Sequence, residues 1–371
     1  MGFTLVVIIY VLLETAFVGA IDWSKISVQP GDWSSLTKSI LSRGPLYQLL
    51  TLSGIAVLTA FAILFIVDAV LSPSGTGWIY VGGTARSLYG MAANGQLPEW
   101  FLYLNRHKVP RWGGTIAALI VGFLFLYKFP AWGGLIVTFI TSAGYLTFIV
   151  SGPLSLALRR LAPNAPRYYR IPAITIFSAL ATISVYLIVY WSTFDILWGV
   201  IVFILAGLPI FFMYVMPTKL GVNKSRGVIA GIIYWIVLAL ATYFMLYEPI
   251  IVPYESAGKL PLTSYHAGLF LAYYVIILTM TIGLTLWLSR DVPSDLKIHI
   301  KAGWWIVATL FTVFPLSFFG QFGVFANPPI PWPYDTITAI IIGIIIHIYG
   351  ARSAFMTPDL KYALERLAHS S

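Results

Sequence analysis

Long apolar runs separated by short polar segments make up most of this chain of 371 residues. A helix that crosses a bilayer needs about 20 predominantly apolar residues. Ten stretches approach that length: 2–21, 49–71 continuing toward 90, 112–129, 135–158, 171–191, 197–216, 228–247, 268–288, 304–325 and 336–349. Because their apolar residues are continuous and do not alternate with polar ones, the pattern predicts transmembrane helices and excludes a transmembrane β-barrel.

Composition leads to the same class of protein. Hydrophobic residues make up 59% of the chain and charged residues 9%, and the mean hydropathy is +0.87. A soluble domain carries about a quarter charged residues, so this chain has too few to cover a surface that faces water. The prediction is an all-α, polytopic membrane protein. Cysteine is absent, which excludes disulfides and thiol chemistry.

The net charge of +9 does not indicate nucleic acid, because the basic residues lie in short clusters between the apolar runs. If the ten runs alternate across the membrane, 17 of the 22 lysines and arginines fall on one side. Cytoplasmic loops carry the excess of basic residues. The sequence therefore predicts a multi-pass protein of the cell membrane with both termini in the cytoplasm.

Three regions are expected from this pattern: residues 1–217 with about six spans, residues 218–350 with about four more, and a cytoplasmic tail at 351–371. In the tail, Thr357 is suited to cap a helix that has Pro358 at its first position. We expect a short helix there, either an ordinary surface helix or one that lies on the membrane.

Only two acids lie well inside apolar runs, Glu14 and Asp68. Ionised side chains at the bilayer centre cost at least about 2.5–3.5 kcal/mol and usually face a bundle interior or a watery cavity. On a helix, Asp68, Ser72 and Thr76 recur every four residues and share one face. Further polar or small residues broaden this stripe: Ser74, Gly75 and Gly77.

Pro73 lies in the middle of this stripe and has no N–H, so the carbonyl of Ala69 loses its partner in the helix. We therefore expect the segment 73–77 to be kinked or irregular and buried within a bundle. Two interpretations are open here. The oxygen-rich patch binds Na⁺ or a polar substrate, with Asp68 carrying a proton, or the stretch is a glycine-rich surface for helix packing with satisfied hydroxyls.

Other candidates carry weaker signals. Glu14 either lines a pathway or reaches out toward the membrane surface. In the fourth run a polar stripe at helical spacing either lines a path or packs against a helix; it consists of Thr138, Thr141, Ser142 and Tyr145. His347 is either a proton relay or, more simply, a packing histidine. The histidines show no metal-ligand spacing and no nucleophile triad is identifiable, so we expect no enzyme, metal or cofactor.

The segment "GGTARSLYGMAANGQLPEWFLYLNRHKVPRWGG" resembles a motif of the amino acid–polyamine–organocation (APC) permeases. In that family an arginine at the inner end of the eighth helix precedes aromatic residues, a turn of small residues, "DGxLP" and a basic loop. The matching residues here are Arg86, Tyr89, Asn94, Gly95, Leu97, Pro98 and Pro110. Asn94 stands where aspartate is more usual. The match extends over about residues 60–113.

The resemblance implies a partial LeuT-like inverted-repeat fold, with helices seven to twelve of the family followed by four additional helices. The unwound first and sixth helices, which hold the substrate in this family, have no counterpart, so the chain resembles the C-terminal portion of a permease. The resemblance implies that Arg86 lies at the inner gate, where a plain positive-inside anchor is the alternative. It also implies that the hydroxyls near Ser72 line the site, where sodium-coupled relatives bind the ion.

The function expected from these observations is secondary active transport of amino acids or related organic cations by alternating access. The partners would be the lipid bilayer, a small amino acid or amine, and a second chain that supplies the missing helices; nucleic acid is not expected. The coupling ion is H⁺ or Na⁺, and Asp68 favours H⁺. The alternative is a scaffold or remnant that does not transport and needs a partner chain.

Overall fold

A computed structural model describes residues 2–36, 38–128, 132–167, 169–358, 360–362 and 364–365. Helices are the principal elements of these ranges. The long ones are α1 (Gly2–Gly19), α2 (Ala56–Ala93), α3 (Arg111–Lys128), α4 (Trp132–Leu161), α5 (Ile174–Trp191), α6 (Phe194–Lys219), α7 (Lys224–Ala257), α8 (Ser264–Ser289), α9 (Lys297–Phe319) and α10 (Tyr334–Ser353).

Each of the ten predicted spans coincides with one of these helices. Among the described residues, seven helices (α2 and α5–α10) are long and apolar enough to cross a membrane by length and composition. The apolar part of α1, Thr4–Gly19, is slightly shorter. The prediction of an all-α, polytopic membrane protein is therefore confirmed.

The second predicted span begins too early. Residues 49–52 belong to a separate short helix, Pro45–Leu52, and α2 starts only at Ala56. Between them Gly54 has φ +72°, and the Ser53 hydroxyl accepts a hydrogen bond from the N–H of Ile55 at 3.2 Å. A left-handed residue ends a helix, and a serine side chain that bonds to the backbone stabilises the turn that follows.

The ninth predicted span extends too far. Helix α9 ends at Phe319, and Gly320 caps it by donating its N–H to the carbonyl of Leu316 at 2.9 Å. A side chain on Gly320 would collide with that carbonyl and with the Tyr190 ring. The apolar residues after Gly320 therefore form a loop in place of a further helical turn.

Contacts divide the chain into two compact units. The first comprises Met1–Ser87 and Leu104–Ala118, and it contains α1, most of α2 and the start of α3. A small apolar cluster of Ile21, Ile26 and Leu41 lies under the loop after α1. The backbone of α3 lies close to that of α2 at Gly113, where an added Cβ would lie 3.0 Å from the backbone of Ala85.

The second unit comprises Leu88–Tyr103 and Leu119–Ser371, and α4–α10 form its bundle. Small residues let these helices approach closely, as membrane helices do because lipid supplies no hydrophobic force between them. A Cβ on Gly152 of α4 would lie 2.6 Å from the carbonyl of Ser178 on α5. In α10, a Cβ on Gly350 would lie 2.9 Å from Pro153 and 3.0 Å from Trp305.

Aromatic rings fill the centre of this bundle. Phe270 of α8 and Phe318 of α9 stack with ring centroids 3.7 Å apart, and the Phe194 ring meets Phe318 edge-on at 5.1 Å. All three side chains are fully buried. Aromatic pairs of this geometry contribute about 0.5–1.5 kcal/mol beyond the area that they bury, so α6, α8 and α9 share a well-packed core.

The predicted cap of the tail helix is present. The Thr357 hydroxyl accepts a hydrogen bond from the N–H of Leu360 at 3.2 Å, and the Thr357 carbonyl accepts one from Lys361 at 3.0 Å. A threonine that satisfies an N–H of the first turn in this way is a helix N-cap. The tail therefore begins a helix as the sequence indicates.

Candidate functional site

The predicted polar stripe lies on α2, which is a continuous α-helix through Pro73. Of the kinked or irregular segment expected at 73–77, the irregular backbone is not observed, because the segment is α-helical throughout. A proline removes one donor, but the hydrogen bonds on either side of it can keep the helix intact. Asp68, Ser72 and Thr76 consequently share one face of α2, as their spacing predicts.

The expected burial of the stripe is also not observed. Asp68 and every residue from Val70 to Val81 are exposed in this chain. The flanking apolar side chains are exposed as well, for example Trp78 at 81% and Val70 at 64%. Only 6% of the most apolar part of α2 is buried.

The hydroxyls of the stripe bond to their own helix. Ser74 Oγ donates to the carbonyl of Val70 at 2.6 Å, and Thr76 Oγ1 donates to that of Ser72 at 3.0 Å. Their oxygens keep lone pairs that can accept from, or coordinate, a ligand. The Ala69 carbonyl lacks its usual hydrogen bond from residue 73, because that residue is proline and has no N–H. The stripe thus presents the Asp68 carboxylate and the hydroxyls of Ser72 and Thr76 on one face of α2, close to the Ala69 carbonyl.

Asp68 and Arg86 lie far apart along α2 and would therefore lie at different depths in a bilayer. At 1.5 Å per residue, Asp68 lies about 18 Å along α2 from Ala56, and Arg86 lies about 27 Å further. A hydrocarbon core is about 30 Å thick. A membrane that meets α2 near Ala56 therefore places Asp68 close to its middle and Arg86 beyond its other boundary. Arg86 is exposed.

The small-residue turn of the motif is the end of α2. Gly95 has φ +66°, and the N–H of Gln96 donates to the carbonyl of Met91 at 2.8 Å, so this pair closes the helix in the way of a glycine C-cap. The Leu97 carbonyl then accepts a hydrogen bond from Tyr214 of α6 at 3.0 Å. The motif therefore has a structural task, which is to end α2 and attach the next segment to the bundle.

No contact in the described part of the structure places the weaker candidates beside the stripe. Glu14 is exposed on α1. Four other candidates lie on α4, but their side chains fall outside the described part of the structure: Thr138, Thr141, Ser142 and Tyr145. Their proposed role stays a prediction.

Two buried polar groups have clear partners in the bundle. His347 of α10 lies between the hydroxyls of Thr182 (2.9 Å from Nδ1) and Ser178 (3.4 Å from Nε2) on α5. Because it is 3% exposed and hydrogen-bonded on both nitrogens, the structure supports the packing interpretation.

Asp335 was not singled out by the sequence, and it is fully buried at the start of α10. Its carboxylate accepts hydrogen bonds from Tyr190 of α5 and from the N–H of Gln321 at 3.3 Å. A carboxylate at a helix N-terminus also meets the positive end of the helix dipole. Asp335 thereby joins the loop before α10 to the C-terminal end of α5. In the sequence, only its position after a proline-rich loop pointed to this residue.

In the described part of the chain, no group of three or more His, Cys, Asp or Glu side chains is placed to hold a metal ion. The candidate chemistry therefore depends on the carboxylate and oxygens of α2. That arrangement can bind a proton, a small cation or an ammonium group.

Two curated proteins of Bacillus subtilis (strain 168) are similar to this chain. One is the glutamate/serine transporter AimA, 33% identical over 226 residues, which are 60% of this chain and 40% of that protein. The other is an aspartate-proton symporter, 28% identical over 188 residues, which are 50% of this chain and 34% of that protein. The aligned residues thus span well under half the length of either relative.

No profile of a known protein family matches the chain. No solved structure matches it either. Both relatives are named as transporters, in agreement with the expectation that the chain is not an enzyme. Over about half its length the chain is therefore similar to amino acid transporters, in agreement with the resemblance to amino acid permeases found in its sequence.

Proposed function

We propose that this chain transports amino acids across the cell membrane by secondary active transport and alternating access, as part of a larger or split permease. The observation that carries the proposal is its similarity to a glutamate/serine transporter and to an aspartate-proton symporter. The polar stripe of α2 supplies the chemistry, because ionisable and hydroxyl groups within the membrane usually line substrate or ion paths. Acidic amino acids and serine are the first substrates to test.

In this proposal Asp68 takes up and releases the coupling proton. The carbonyl of Ala69 and the hydroxyl of Ser72 lie within one helical turn of its carboxylate along α2. Na⁺ is the alternative coupling ion, with the same oxygens as its ligands. Arg86 controls access from the cytoplasmic side.

A partner chain belongs to the proposal because the stripe of α2 is exposed. A carboxylate and free carbonyl facing hydrocarbon would be unfavourable by several kcal/mol. Helices from a second chain, packed over Asp68 and Gly75, would remove these groups from lipid and enclose the transport path.

The test is uptake in proteoliposomes. The chain, alone and together with the products of adjacent reading frames, is reconstituted and supplied with radiolabelled glutamate, aspartate or serine under an imposed pH or Na⁺ gradient. We expect uptake that collapses when the gradient is dissipated by an ionophore. Absence of gradient-driven uptake in both preparations, for all three substrates, would contradict the proposal and favour a scaffold that does not transport.

A further inference from the structure

A groove between α6 and α7 opens on the outside of the bundle, and it is independent of the proposed transport site. Its volume is about 410 Å³, and its lining is almost entirely apolar. The hydroxyl of Thr242, which lines the groove, is hydrogen-bonded to that of Tyr273 at 3.1 Å. The groove thus suits a hydrocarbon chain better than the charged carboxylate of an amino acid.

Irregular helix geometry builds this groove. Helix α6 has a tighter turn around Pro209. There the N–H of Ile210 donates to the carbonyl of Gly207, three residues earlier, and not to that of Ala206, four residues earlier. The freed carbonyl of Ala206 accepts the indole N–H of Trp235 at 2.8 Å, which fixes this ring as one wall. Opposite, α7 is a π-helix over Thr242–Ile251. Such wide turns are rare and occur frequently at functional sites.

One end of the groove is aromatic, and a carboxylate is hydrogen-bonded to one of its rings. The rings of Tyr243 and Tyr247 stack 6.2 Å apart, and the Trp198 ring lies 6.0 Å from that of Tyr247. All three line the groove. The Tyr243 hydroxyl donates to the Glu248 carboxylate at 2.9 Å, and Glu248 is exposed. Aromatic faces beside a carboxylate are a favourable setting for an ammonium group.

The aromatic end lies near a membrane surface. Trp198 is about 6 Å along α6 from its start at Phe194, whereas Ala206 is about 18 Å along it. The start of α6 is opposite the loop Leu220–Asn223, whose flanking residues Lys219 and Lys224 are predicted to be cytoplasmic. The groove therefore runs from the outer membrane surface toward the middle of the bilayer.

We propose that this groove binds a phospholipid of the outer leaflet whose headgroup is an ammonium, such as phosphatidylethanolamine. One acyl chain occupies the groove beside Trp235, and the ammonium lies against Glu248 and the rings of Tyr243 and Tyr247. The phosphate remains at the water surface. An anionic lipid without an ammonium would meet the Glu248 carboxylate with a like charge.

The experiment uses the full chain in nanodiscs of phosphatidylglycerol that contain a small fraction of phosphatidylethanolamine with a photoactivatable acyl chain. After illumination, the cross-linked peptides are identified by mass spectrometry. We expect labelling concentrated in residues 198–206 and 235–247, displaced by unlabelled phosphatidylethanolamine and several-fold less by added phosphatidylglycerol. Labelling spread evenly over the exposed helices, or equal displacement by both lipids, would overturn the proposal.

Single substitutions test the headgroup contact and the acyl-chain contact separately. Glu248→Gln should lower labelling several-fold, while the control Glu255→Gln, two turns further along α7 and also exposed, should leave it unchanged. Ala239→Phe fills the groove from an exposed lining position and should abolish labelling there without disturbing the core. Wild-type labelling in Glu248→Gln or Ala239→Phe, with thermal unfolding confirming folded protein, would contradict the assignment.

Discussion

At the residue scale, the most unusual side chain is the Asp68 carboxylate. It lies about 18 Å along α2, and it shares a face with two hydroxyls in a helix that is otherwise apolar. Placing an ionised carboxylate there costs at least about 2.5–3.5 kcal/mol. A chain that keeps such a group gains something else from it, and under the proposed function that gain is proton coupling.

Replacing Asp68 with Asn removes the titratable group and keeps its size. We expect uptake to lose its stimulation by an inward pH gradient, because no proton can bind at this position. The measurement is initial uptake rate against external pH in proteoliposomes that contain the complete transporter. Glu99→Gln, which changes an exposed carboxylate after α2, is the matched control. An unchanged pH profile for Asp68→Asn would remove this residue from the coupling role.

Lys259, in the loop between α7 and α8, has a lowered pKa. Burial lowers the pKa of its ammonium below the ordinary lysine value, and the nearby Asp195 opposes this by raising it. Its ammonium also donates a hydrogen bond to the carbonyl of Gly323. Between the lowered pKa and the ordinary value near 10.4, the folded chain releases a proton that the unfolded chain keeps. Folding therefore becomes relatively more favourable as pH rises through this window.

This can be measured by acylating lysines with an amine-reactive ester at a series of pH values and quantifying each by mass spectrometry. We expect the rate at Lys259 in the folded protein to reach half its maximum below about pH 10.4. In the denatured chain the midpoint should move up to the ordinary value. Equal midpoints in the two states would show that the loop does not desolvate this amine.

At the element scale, the close contact of α4 with α5 depends on Gly152. Its neighbours on α5, Ser178 and Thr182, also hold His347 of α10, so one close contact organises three helices. A wider spacing of α4 and α5 would disturb that hydrogen-bonded set. Helix α10 is thus joined to α5 by a polar contact as well as by packing.

Gly152→Ala should destabilise the bundle by about 1–3 kcal/mol, because the new methyl group meets the backbone carbonyl of Ser178 with no room to relax. The measurement is the midpoint of thermal unfolding of the purified protein. Gly283→Ala, where the added Cβ meets nothing within 4 Å, is the control and should be neutral or slightly stabilising. Equal midpoints for both variants would mean that α4 and α5 are not packed as described.

Helix α2 offers a second test at this scale. Pro73→Ala gives the Ala69 carbonyl an N–H partner and leaves the helix, which already continues through Pro73, in place. We expect weaker binding of the coupling ion or substrate, seen as a higher half-saturation concentration for uptake, with unchanged expression. Wild-type affinity in this variant would favour the interpretation of the stripe as a packing surface.

At the scale of the whole molecule, membrane orientation is the property that connects the proposals. It sets which leaflet the groove beside Trp235 faces and which compartment Arg86 faces. The asymmetry of basic residues predicts that the loop before α7 is cytoplasmic and that the loop after it is external. Because the chain contains no cysteine, single cysteines can be introduced without background.

Ser225→Cys and Ser256→Cys place one thiol at each end of α7, both at exposed positions. In intact cells, a membrane-impermeant maleimide should label Ser256→Cys and not Ser225→Cys. After the membrane is permeabilised, both should react. The opposite pattern would invert the orientation and would move the lipid groove to the cytoplasmic leaflet.

The sequence by itself determined the class of the protein, the positions of the helices and several of their ends. A bilayer offers no partner for backbone N–H and C=O groups, so each long apolar run has to become a helix whatever its neighbours are. The cap at Thr357 and the glycine turn after α2 follow from equally local rules. The resemblance around Arg86 was visible for the same reason, since a short motif carries it.

Only the tertiary structure decided which residues meet. The burial of Asp335 under Tyr190, the hydrogen bonds of His347 and the groove beside Glu248 all join residues that are distant in the sequence or on different faces of a helix. Hydropathy records how apolar a segment is and not which side of it faces a neighbour. For the same reason, the exposure of the stripe at Asp68 could not be read from its composition.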